Sequence, residues 1–150
     1  MSGKIVFWAD EDERIWLSER WLLEGLGMSV DAIPDATTAL KLIEEANQNE
    51  VILIILDVML LQGDDLNLFS DTATRGGLRT GLVLAKCLTK NAPHIGSKIL
   101  FFSRVTDRAS IAEIEKTAKD IGAHYLAKNT QTQGRHFIRW LREKGFLKEL

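Results

Sequence analysis

Apolar residues fall in short unbroken runs over 4–9, 51–56 and 98–102, with two weaker runs at 29–33 and 124–127, each bounded by turn-forming or charged residues. Short runs of this kind predict strands. Between them, apolar positions recur with helical spacing over 15–26, 36–46, 78–88, 111–121 and 135–143, which predicts helices with one buried stripe. The chain therefore reads as strand then helix, five times over. Strands without polar alternation, such as 51–56, imply burial on both faces, and alternation with helices implies a parallel sheet covered on both sides. The predicted class is a doubly wound α/β domain with five parallel strands. Gly27, Gly122 and Gly145 each follow a helical pattern, where a residue with positive φ commonly ends a helix. Asp35 stands where an N-cap is needed ahead of 36–46.

One stretch breaks this rhythm. Residues 62–80 are polar, include Gly63, Gly76 and Gly77, and separate the third strand from its helix. Connections in such units usually take about two to six residues, so a longer one is either functional or mobile. Asp64, Asp65, Asp71, Arg75 and Arg79 are candidates for a lid or a docking surface, against the plainer reading of a disordered solvent loop.

Composition narrows the picture to one domain over 1–150, because 150 residues with 45% hydrophobic content suffice for a single core. Lys and Arg total 19 against 21 Asp and Glu, a net charge of −2, and such a balance does not attract nucleic acid over long range. Arg135, Arg139, Arg142, Lys144 and Lys148 cluster among apolar residues, as the solvated face of an amphipathic helix does. The single cysteine, Cys87, lies in an apolar stretch and reads as a buried thiol in a reducing compartment. No leader pattern and no membrane-length apolar run is present, so the expected location is cytoplasmic, without a membrane partner.

In open parallel sheets, ligands bind beyond the carboxyl ends of the strands. Here those ends carry Asp10, Glu11, Asp12 and Glu13 after the first strand, Asp57 after the third, Ser103 after the fourth and Lys128 after the fifth. Taken singly each residue has an ordinary explanation, and Asp12 and Glu13 are read as charges that open the next helix. Taken together they bring carboxylates, a hydroxyl and an ammonium to one edge. Crowded carboxylates call for a cation. Oxygen-only ligands point to Mg²⁺, which takes one or two carboxylates plus phosphate oxygens. A carboxylate in that setting can act as a nucleophile toward a phosphoryl group.

Three segments carry a family resemblance: 5–11 ending in an acidic pair, 52–59 (Ile-Leu-Ile-Ile-Leu-Asp-Val-Met) and 122–128 (Gly-Ala-His-Tyr-Leu-Ala-Lys). Their order and spacing resemble response-regulator receiver domains over nearly the whole chain. The resemblance implies a flavodoxin-like fold with strand order 2-1-3-4-5. It implies Asp57 as phosphoacceptor, Asp10 and Glu11 as the acidic pair for Mg²⁺, and the backbone carbonyl of Met59 as a further ligand. Ser103 matches the switch hydroxyl, Lys128 the phosphate-binding lysine and Tyr125 the aromatic switch residue. For Tyr125 the plainer reading is a packed ring with a wet hydroxyl. The run of four acids leaves open whether Asp10 and Glu11 or a register reaching Asp12 completes the metal site. The chain departs from the pattern at Leu61 and Asn129, where the family usually has Pro, so the loop after the fifth strand is expected to be trans and more mobile. Arg104 stands where a small residue is common, either shielding or binding the phosphoryl group or pointing outward.

The expected function is a stand-alone receiver that takes phosphate from a histidine kinase or phosphotransfer protein and signals through a downstream protein. The chain ends soon after its fifth helix, so no separate output enzyme is expected, and a homodimer is compatible with the family. Residues 109–120 and Tyr125 would form the responsive face. Met59 and Val105 flank the site without a polar group to place a water, which predicts slow loss of phosphate. The first rival is a receiver-like interaction module that is not phosphorylated. The second, an aspartyl-phosphate hydrolase, lacks a second Asp near Asp57, and a nucleotide-binding domain lacks a Gly-rich loop after the first strand.

Overall fold

The computed structural model describes residues 3–12, 14 and 16–147. Five strands, β1 (Ile5–Ala9), β2 (Ser29–Ile33), β3 (Val51–Leu56), β4 (Ile99–Ser103) and β5 (His124–Ala127), pair in parallel in the order β2-β1-β3-β4-β5. The helices are α1 (Leu17–Gly25), α2 (Ala36–Glu45), α3 (Asp71–Thr74), α4 (Thr80–Asn91), α5 (Arg108–Ile121) and α6 (Arg135–Glu143), with a 3₁₀ turn at Pro93–Lys98. Burial on both faces explains the unbroken apolar strands. Phe7, Ala9, Ile54, Leu56, Ile99 and Phe101 pack under α2, α4 and α5. Val6, Trp8, Leu53, Ile55, Leu100 and Phe102 pack under α1 and α6. On the second face the Trp8 and Trp16 rings stack at a centroid distance of 4.0 Å.

Local chemistry sets most element ends. The Asp35 side chain accepts the Thr38 N–H at 2.7 Å and caps α2, and Gly122 ends α5 with φ 74°. Gly27 and Gly145 also have positive φ. The fourth predicted helix begins earlier than its apolar stripe, because Asp107 accepts the Ser110 N–H at 2.9 Å and caps α5 at Arg108. The first begins later, at Leu17, so Asp12 lies outside it. Glu13, Ile15 and Lys148 are outside the described residues.

The segment 62–80 is not an unstructured loop. Phe69 and Thr74 are fully buried, Ser70 caps the short α3 by accepting the Ala73 N–H at 3.1 Å, and α4 starts at Thr80 rather than 78. The Gln62 amide donates to the Phe69 carbonyl, the Asp71 carboxylate and the Thr74 hydroxyl at 2.9 to 3.0 Å. Before it, the Leu61 and Gln62 carbonyls accept the Ala36 and Thr37 N–H groups that open α2, at 2.8 and 3.2 Å. Of the charged residues in the segment, Asp65 accepts the Asn67 and Leu68 N–H groups at 3.2 and 3.1 Å. Arg75 and Arg79 each reach Glu113 on α5 at 3.2 Å, and Arg79 also donates to the Ser110 hydroxyl at 2.8 Å. The segment exposes Leu66, Leu68 and Leu78, and Met59 and Leu61 are exposed just before it.

Cys87 is half-buried rather than fully enclosed, and burial pushes its thiol pKa up. Among the described residues no helix is long and apolar enough to cross a membrane.

Candidate functional site

The sheet edge is fixed by backbone bonds that prolong the ladder past the last strand residues. The Asp10 N–H donates to the Ile33 carbonyl at 3.0 Å and the Asp57 N–H to the Ala9 carbonyl at 3.0 Å. The Lys128 N–H donates to the Ser103 carbonyl at 2.8 Å. These three bonds bring residues far apart in sequence to one rim. A further constraint comes from Gly81 in the first turn of α4, whose N–H donates to the Val58 carbonyl at 2.9 Å. A Cβ at position 81 would collide with the Asp57 carbonyl oxygen. Glycine here is a requirement of close approach, and nothing in the helical pattern of 78–88 distinguishes it.

The rim encloses a cavity of about 200 Å³ lined by Asp10, Glu11, Asp12, Asp57, Met59, Arg104 and Lys128. Lys128 Nζ lies 2.5 Å from Asp10 Oδ2 and 3.8 Å from Asp57 Oδ2, with the Lys128 and Asp10 side chains each 3% exposed and Asp57 15%. The ammonium also stands 5.3 Å from the centroid of the Phe102 ring, so its stem is packed while its head is paired. Asp57 Oδ1 accepts the Met59 N–H at 3.3 Å. Burial raises the Asp57 pKa; Lys128 opposes that shift, and the charges of Asp10 and Glu11 reinforce it. One ammonium between the buried Asp10 and the half-buried Asp57 carboxylates leaves the cavity rich in negative charge.

Glu11 is exposed and also borders a neighbouring hollow of about 290 Å³ with Asp10, Ala32, Ile33 and Pro34. Asp12 donates its N–H to Asp10 Oδ1 at 3.0 Å and accepts Arg14 Nε at 3.2 Å. It serves this turn rather than the start of a helix, and its pKa is lowered, mainly by the Arg14 hydrogen bond. Among the described residues no three His, Cys, Asp or Glu side chains form a metal-holding group. A hard cation that keeps its waters does not need such a cage. The Asp10 and Asp57 carboxylates, with Glu11 at the rim and Met59 beside them, would offer oxygen donors of the kind Mg²⁺ takes.

Ser103 is fully buried at the end of β4, and its Oγ accepts the Val105 N–H at 3.4 Å. It lies beside the cavity without being part of its lining. Tyr125 pairs with Phe101 across the sheet, and its ring packs against the core on the α2, α4 and α5 face. Its hydroxyl is not wet: the oxygen is buried without a hydrogen-bond partner among the described residues, and burial raises its pKa. The loop after β5 has no cis peptide. It is tied rather than loose, because the Thr132 hydroxyl donates to the Ala127 carbonyl at 2.6 Å and Asn129 Oδ1 accepts the Gln131 N–H at 2.8 Å. Arg104 is exposed yet lines the cavity.

No family model matches the sequence, and no curated protein is similar to it in sequence. Solved structures do match. A CheY-like response regulator receiver domain protein from Methanospirillum hungatei superposes with a TM-score of 0.67 at 22% identity, covering 95% of this chain and 94% of that one. The chemotaxis protein CheY4 of Vibrio cholerae gives a TM-score of 0.64 at 19% identity, covering 94% of this chain and 98% of that one. The response regulator TrrA of Thermotoga maritima, crystallised in complex with Mg²⁺ and BeF, gives 0.63 at 16% identity, covering 94% and 98%. The chain has the CheY-like receiver fold.

Proposed function

We propose, from this receiver fold, that the chain is a response-regulator receiver that accepts a phosphoryl group on Asp57 and signals through a phosphorylation-dependent protein contact. The observation that carries this reading is the meeting of Asp10, Glu11, Asp57, Met59 and Lys128 around one cavity, with Ser103 buried at its side. The donor is a histidine kinase or phosphotransfer protein acting in the cytoplasm. An Asp57 carboxylate oxygen attacks phosphorus, the bond from phosphorus to the donor's imidazole nitrogen breaks, and the imidazole leaves with the electron pair. Lys128, already 3.8 Å from Asp57 Oδ2, offsets charge on the transferring oxygens. Mg²⁺, when bound, would neutralise the carboxylates and orient the phosphoryl oxygens, and the Mg²⁺ and BeF bound in TrrA support this cofactor.

Buried Ser103 and the unpartnered Tyr125 hydroxyl are the groups that would respond. A phosphoryl oxygen on Asp57 offers the Ser103 hydroxyl an acceptor, and its movement would change the packing that holds Tyr125 beside α5. The test is to add Mg²⁺ and beryllofluoride and follow amide chemical shifts in the wild type and in Asp57→Asn. The expected result is shifts at Asp57, Ser103, Tyr125 and Lys128 that vanish in the variant. A wild type that does not respond points instead to a constitutive interaction module, a reading favoured by the exposed Leu61, Leu66, Leu68 and Leu78 in and just before the segment 62–80.

A further inference from the structure

Most charged groups lining the cavity are already engaged. Lys128 is held by Asp10 and Asp57, Asp12 by Arg14, and Asp57 by the Met59 N–H. Arg104 makes no hydrogen bond or ion pair among the described residues, and its influence on Asp12 is the weakest of those acting on that carboxylate. Its root is fixed. Ser103, immediately before it, is buried, donates no freedom to the chain and is tied through its carbonyl to Lys128 and through its hydroxyl to Val105. The cavity is thus bordered by four carboxylates and two cations, one of them committed.

We infer that Arg104 is a second phosphoryl-binding cation, whose guanidinium closes over the group carried by Asp57 and contacts two of its oxygens. This rests on the reading of Asp57 as phosphoacceptor. Phosphorylation replaces the single charge of the Asp57 carboxylate with the roughly two charges of a phosphoryl group. Lys128 can offset part of them only while still serving Asp10, and its ammonium is a point charge. A guanidinium presents parallel donors that match two phosphoryl oxygens at once. Because Arg104 is exposed and makes no hydrogen bond or ion pair among the described residues, it breaks none of these when it turns inward.

The test measures bound beryllofluoride directly by ¹⁹F NMR at saturating Mg²⁺ in wild type, Arg104→Ala, Arg104→Lys and Arg108→Ala. Arg108 is exposed at the start of α5 and does not line the cavity, so it reports the effect of charge alone. Arg104→Ala is expected to weaken binding about tenfold, the effect of one charge-assisted contact. Arg104→Lys should fall between the two, and Arg108→Ala should stay within about twofold of wild type. The inference is overturned if Arg104→Ala stays near wild type, if Arg108→Ala weakens binding as much, or if Arg104→Lys binds as tightly as Arg. A folded wild type with no Mg²⁺-dependent bound signal would remove the phosphoacceptor reading and this inference with it.

Discussion

The strand-end cavity and the segment between β3 and α4 lie side by side, yet they satisfy their polar groups in different ways. In the cavity, Lys128 is shared by the Asp10 and Asp57 carboxylates, and desolvation holds the Asp57 proton more tightly than in the unfolded chain. In the segment, the Gln62 amide meets three acceptors, Ser70 caps α3 and Phe69 is anchored in the core. Charges left in excess cost stability and favour the approach of a cation. Saturated hydrogen bonds and one buried ring hold a shape. The segment therefore holds a fixed shape, whereas the cavity is electrostatically incomplete.

The sharpest way to break this contrast is to remove the anchor. Phe69→Ala should destabilise the protein by about 3–5 kcal/mol, as the loss of a fully buried aromatic does, read from urea unfolding. A small change would mean the segment is held by its hydrogen bonds alone. The opposite sign is expected at the cavity. The folded protein binds the Asp57 proton more tightly than the unfolded chain, whose carboxyl stays near 3.8. The stability this group contributes is therefore present at low pH and is lost as pH rises through its raised native pKa. Asp57→Asn should remove that loss, raising stability at neutral pH by on the order of 1 kcal/mol and flattening the pH dependence of the melting temperature above pH 4. A destabilised variant would show that the carboxylate is needed structurally. The smallest effect belongs to the contact between the segment and α5. A double-mutant cycle on Arg79 and Glu113, partly exposed and 3.2 Å apart, should give a coupling of about 0.5–1 kcal/mol.

Much of this architecture was legible in local patterns. The five strands lie where unbroken apolar runs predicted them, Asp35 caps α2, and Gly27, Gly122 and Gly145 take positive φ. These features depend on side chains and backbone within a few residues of one another, which a single stretch of sequence contains. Asp10, Asp57 and Lys128 were also legible as candidates, because a parallel sheet sends the carboxyl ends of its strands to one rim. Where helices begin was less legible: Asp107 starts α5 ahead of its apolar stripe, since a cap acts through one hydrogen bond and leaves no periodic trace.

What the chain determined by itself was the order of its elements and which residue types reach the rim, because hydrophobic period and capping are short-range. Only the tertiary structure decided that Lys128 closes on Asp10 more tightly than on Asp57, and that Gly81 lets α4 press against the Asp57 backbone. It also decided that the Tyr125 hydroxyl is buried unpartnered, and that Arg75 and Arg79 turn the long segment onto α5. Each of these depends on distances between residues remote in sequence, and their energies arise only once burial has removed water from between them.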